Sequence, residues 1–145
     1  MKMLDVNVVL YAYHDAMPDH ERARTWFEEL LSTSEVVLFP LVTILGFIRI
    51  STDSRVLREP FSLDEAFEIV ESWLERKNSR IADPMPTHFA HFRKLAMDGQ
   101  SRADASTDAH IAALARDYGA ELCTADRGFS RFTGVKIFNP LLSHE

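Results

Sequence analysis

Three aspartates occupy places where an α/β chain delivers chemistry. Asp5 follows the apolar pair Met3-Leu4 and precedes Val8-Val9-Leu10, so a short strand would present it at its carboxyl end. Asp108 follows Thr107 at the opening of a helical segment, and Asp126 lies just past an apolar stretch in Thr124-Ala125-Asp126-Arg127. In open α/β sheets the carboxyl ends of the strands converge on one edge, where ligands bind. Two unit charges ~4 Å apart repel by about 4 kcal/mol at an effective dielectric near 20. A cluster of carboxylates therefore needs a shared proton or a hard divalent cation. Oxygen-only ligands select Mg²⁺, with Mn²⁺ as an alternative, over Zn²⁺. Such a cation suits hydrolysis of a phosphodiester by activated water. Each acid also has a plain structural role open to it. Asp5 would cap the following helix, Asp108 would complement a helix dipole, and Asp126 would shape a turn.

The elements that must position these acids are legible from periodicity. After a first strand ending at Asp5, Pro18-Asp19 starts an amphipathic helix with Ala23, Trp26, Phe27, Leu30 and Leu31 at helical spacing. Val36 to Phe39 reads as a second buried strand closed by Pro40, and Leu41 to Ile50 as a mostly buried helix. Ser62-Leu63-Asp64-Glu65 is a capping box for a helix facing inward through Ala66, Ile69, Val70, Trp73 and Leu74. Arg80 to Ala82 reads as a third strand. Thr87 to Met97 follows as a helix with Phe89, Phe92, Leu95 and Ala96 inward. Thr107 to Tyr118 is a further helix with Gly119 as its cap, and Glu121 to Thr124 and Val135 to Phe138 are the last strands. Alternating strands and helices predict a mostly parallel sheet covered on both faces.

Composition sets the frame. The chain of 145 residues suits one domain, 1–145, with 46% apolar and 26% charged residues. The longest uncharged apolar run, Val36 to Ile48, is broken by Pro40 and is shorter than the ~20 residues of a membrane span. No membrane association is expected. The single Cys123 points to a reducing, cytoplasmic location and to a small core residue. A net charge of −6 argues against a broad nucleic-acid surface. It leaves a nuclease open, because a bound metal cancels clustered acids locally.

The segments Leu4-Asp5-Val6-Asn7-Val8-Val9-Leu10-Tyr11-Ala12, Thr107 to Ala115 (Thr-Asp-Ala-His-Ile-Ala-Ala-Leu-Ala) and Leu122 to Phe129 (Leu-Cys-Thr-Ala-Asp-Arg-Gly-Phe), in this order, resemble those of PIN-domain ribonucleases of the VapC toxin type. Leu45-Gly46-Phe47-Ile48-Arg49 matches more loosely. The resemblance implies a three-layer α/β/α sandwich, a metal-dependent endoribonuclease acting on RNA, and a cognate antitoxin; a homodimer is the expected assembly. By the family pattern Asp5, Asp108 and Asp126 are the metal-site acids, supported by Asn7 and Thr124. One position departs. Where the family places a glutamate before an arginine, this chain has Gly46 before Arg49. Asp104 is the nearest substitute, although a loop acid usually faces solvent. The departure keeps a non-cleaving RNA- or protein-binding module as the alternative.

Other residues carry weaker signals. Arg49, Arg102 and Arg127 flank the acid-bearing segments as candidate RNA phosphate contacts. His110 is a candidate substrate contact. His88 and His91 lack the fuller ligand set of a zinc site and read as surface or helix-packing residues. The helices bearing Trp26 and Trp73 are candidates for a dimer or antitoxin surface, with core packing an equal explanation. An aspartyl-phosphate phosphatase would use Asp5 as nucleophile but needs an acid where Asn7 stands, and no lysine follows a late strand as a receiver domain requires.

Overall fold

The computed structural model describes residues 1–103 and 105–142. Five strands, β1 Lys2–Leu4, β2 Val37–Pro40, β3 Ser79–Ala82, β4 Glu121–Cys123 and β5 Lys136–Phe138, form one all-parallel sheet in the order β3-β2-β1-β4-β5. Six helices connect them: α1 Val6–Tyr13, α2 His20–Leu31, α3 Leu41–Ser51, α4 Leu63–Leu74, α5 His88–Asp98 and α6 Ala105–Tyr118. A 3₁₀ helix, Arg127–Arg131, links β4 to β5.

Strand alternation sorts the core into two layers. Leu4, Val37, Phe39 and Cys123 pack with residues of α1 to α4 on one face. Met3, Leu38, Ala82 and Leu122 pack with α5, α6 and the 3₁₀ helix on the other. The result is the expected three-layer sandwich. Strands this short cannot carry the structure alone, so helix burial supplies most of the apolar contact. At the centre of the first layer, Trp73 is fully buried and stacks on Phe39 at 5.2 Å, with Phe47 edge-on at 4.8 Å. Its indole N–H donates to the Tyr13 hydroxyl at 2.8 Å, so burial leaves no polar group unpaired. Burial of Cys123 pushes its thiol up to about 12, as befits a packing residue.

Local signals account for the boundaries. Ser62 and Glu65 form the reciprocal capping box at the start of α4. Gly119 takes φ +64° after α6, a conformation glycine adopts without a Cβ penalty. Four expectations change. Phe89 is 74% exposed whereas its neighbour His88 is buried, because α5 turns His88 rather than Phe89 toward α6. Leu41 and Leu45 of α3 also face outward. The helix beginning near Thr107 starts two residues earlier, at Ala105. Trp73 lies in the core and offers no surface to a partner, while Trp26 is only partly buried. Among the described residues no helix is long and apolar enough to cross a membrane.

Trp73→Ala removes the largest fully buried side chain of the first layer and opens a cavity bordered by Phe39 and Phe47. Urea unfolding should show a loss of about 3–5 kcal/mol. A loss below 1 kcal/mol would mean that this cluster does not organise the layer.

Candidate active site

The sheet order reverses between β1 and β4, and at such a switch point the connections leave a crevice beyond the carboxyl ends. Asp5 follows β1 directly and Thr124 follows β4 directly, and the two strands are paired in register, Leu4 opposite Cys123. The side chains meet across that pairing. Thr124 Oγ1 donates to Asp5 Oδ2 at 2.8 Å. It accepts from the Asp126 backbone N–H at 3.0 Å and from Asn7 Nδ2 at 3.3 Å. A hydroxyl has one proton and two lone pairs, and Thr124 uses all three. The Asn7 amide bonds at both ends, its oxygen accepting from the Ala125 N–H at 3.2 Å.

Asp5 is both the N-cap of α1 and the buried acid of the crevice. Its Oδ1 accepts from the Val6 N–H at 2.7 Å, and the residue is only 5% exposed. Burial pushes its carboxyl above the usual carboxylate range; the bonds from Thr124 and Val6 pull the other way, and the nearby charge of Asp126 adds to the rise. A carboxylate so placed is under-compensated and would gain from a cation. Asp126 is exposed and caps the 3₁₀ helix, its Oδ1 accepting from the Gly128 N–H at 2.8 Å. One threonine therefore joins Asp5, Asn7 and the Asp126 backbone into a single network.

Asp108 comes from a different element. It occupies the first turn of α6, and its Oδ2 lies 3.4 Å from Nη2 of Arg131 at the end of the 3₁₀ helix. Among the described residues no three His, Cys, Asp or Glu side chains are grouped so as to hold a metal ion. The donors that do face the crevice are carboxylate, amide and hydroxyl oxygens, which fit a hard divalent cation rather than zinc. Asp104 lies outside the described residues.

Sequence reading missed Arg131. It stands five residues past Asp126 but meets an acid 23 positions earlier, and no local pattern announces such a contact. Arg49, Arg102 and Arg127 are exposed. His110 turns toward α5 rather than the crevice, its Nδ1 2.7 Å from His88 Nε2. Burial, then His88, lowers its pKa. His91 Nδ1 sits 2.5 Å from Asp117 Oδ1, so these histidines bind α5 to α6. Gly46 has a physical reason too. A Cβ added there would lie 3.0 Å from Val6 Cγ2, so α3 passes close to the residue after Asp5.

Comparison with known proteins supports the same architecture. A family profile described as PIN domain matches residues 2–135. Ribonuclease VapC43 of Mycobacterium tuberculosis is 35% identical over 141 residues, covering 97% of this chain and 96% of that protein. Ribonuclease VapC31 of the same species is 32% identical over 142 residues, covering 98% and 100% respectively. Among solved structures, VapBC2 from Rickettsia felis bound to a DNA fragment from its promoter matches with a TM-score of 0.69 at 16% identity, over 95% of this chain and 97% of that one.

Thr124→Val keeps the shape and removes the hydroxyl, stripping a partner from Asp5, Asn7 and the Asp126 N–H at once. Unfolding free energy should fall by about 1–3 kcal/mol, with Thr124→Ser restoring most of it. Equal stability of the valine and serine variants would show that the hydroxyl does not hold the crevice together.

Proposed function

The chain belongs to the PIN-domain family of VapC ribonucleases, and from that premise we propose that it is a metal-dependent endoribonuclease toxin that hydrolyses RNA phosphodiester bonds. The observation that carries the proposal is Asp5, a buried, under-compensated carboxylate at the switch point, bridged by Thr124 to the segment bearing Asp126. Asp5, Asp108 and Asp126 are the proposed ligands of Mg²⁺, or of Mn²⁺ in its place. The ion would supply an activated water and compensate charge building on the phosphate oxygens.

The chain's own residues have defined tasks in this reading. Thr124 and Val6 N–H fix the rotamer of Asp5, so its oxygens present a set geometry without reorganisation. Asn7 ties the start of α1 to the Ala125 backbone and so holds the two acid-bearing loops together. Asp126, exposed at the rim, would complete the shell of the ion or orient a water against the scissile phosphate. No side-chain nucleophile is needed, which fits a site built of acids and amides. The proposed partners are RNA as substrate, a cognate antitoxin and a second copy of the chain; the VapBC2 complex among similar folds supports the antitoxin. A cytoplasmic location accompanies that role.

The test is cleavage of single-stranded RNA by purified protein in Mg²⁺. Asp5→Asn and Asp108→Asn should each reduce the rate at least about 100-fold, which corresponds to loss of about 2.7 kcal/mol of transition-state stabilisation. Full activity in excess chelator, or in either variant, would overturn the proposal. RNA binding without metal-dependent turnover would favour the non-cleaving alternative that Gly46 raised.

A further inference from the structure

Asp108 is held by a cation of its own chain. Arg131 closes the 3₁₀ helix capped by Asp126, so one end of this helix carries a proposed site acid and the other a cation that meets Asp108. The Arg131 guanidinium carbon sits 5.0 Å from the centre of the Phe132 ring, which is itself buried. Stacking of this kind steadies a guanidinium while leaving its N–H groups available. The Arg131 and Asp108 side chains are 37% and 26% exposed, and the contact between Nη2 and Oδ2 is long at 3.4 Å. An ion pair of this length and exposure is weak and exchangeable.

We propose that Arg131 is an RNA phosphate-binding residue whose resting partner is Asp108. This rests on the ribonuclease reading above. In the RNA-free protein the arginine lies against the charge of Asp108. When Asp108 turns to a cation, the guanidinium is released and its N–H donors become available. A phosphate offers the paired oxygens that its planar fork matches, a better partner than one carboxylate oxygen at 3.4 Å. Metal and substrate are thereby coupled, since each removes a competitor of the other.

The coupling predicts opposite signs for two measurements on Arg131→Ala, with Arg131→Lys and Arg131→Gln as companions. Mn²⁺ binding to the RNA-free protein, read by electron paramagnetic resonance, should tighten several-fold in the alanine and glutamine variants, because Asp108 loses its competitor. With a single-stranded RNA oligonucleotide, KM should rise about tenfold with kcat much less changed. The slope of log(kcat/KM) against log[salt] should shrink by about 0.7, the value for one phosphate contact on a single strand. Arg131→Lys should keep most of that slope. A purely structural arginine would weaken Mn²⁺ binding as well, and that result overturns the inference, as does an unchanged salt slope in Arg131→Ala. Wild-type protein with no metal-dependent cleavage overturns the ribonuclease reading and this one with it. Wild-type cleavage with an indistinguishable alanine variant overturns this one alone.

Discussion

A carboxylate that folding withdraws from water must be held by something, and here the something is one hydroxyl. Thr124 takes Asp5 from β1, the Asp126 N–H from the loop after β4, and Asn7 from the first turn of α1. Three separate parts of the chain are registered by an atom with no spare bonding capacity. The central parallel pairing of β1 with β4 puts that atom in place, and the two apolar layers fix the pairing. The crevice is therefore a product of the core, and its accuracy is set by packing several residues away.

Burial and reactivity are in tension at Asp5. Withdrawal from water raises its affinity for a proton, and the same withdrawal strengthens its attraction for any cation that enters. Since the folded protein binds that proton more tightly than the unfolded chain does, raising the pH through this window removes stability in the absence of a metal. A bound cation reverses the balance. Charge that costs stability in the free protein is the charge that would select the ion.

Much of this was legible in the residues. Alternating strands and helices, the Ser62–Glu65 box and Gly119 after α6 rest on local rules that tertiary contacts did not override. Asp5 and Asp126 were legible for the same reason, because the end of a strand is a local feature while strand adjacency follows from the fold class. Local rules fail where two helices settle against each other. The helical period permits either His88 or Phe89 of α5 to point inward, and the contacts with His110 and Asp117 decide for the histidine. Arg131 was invisible for a related reason, since its partner is supplied by an element that precedes it by 23 residues. Trp73 was ambiguous because a large aromatic suits a core and a partner surface equally.

The close approach of Gly46 to Val6 bears on how this sequence can change. A side chain at 46 must displace Val6 Cγ2, which a Cβ would meet at 3.0 Å, and Val6 supplies the N–H that caps Asp5. A glutamate arriving at 46 alone would therefore press on the residue that caps the buried acid it is meant to assist, and the Val6 side chain would have to give by a few tenths of an ångström. If a smaller residue replaced Val6 first, the same glutamate would find room. The two positions are therefore coupled: how readily a fourth carboxylate is accepted at 46 depends on how far the side chain at 6 can yield.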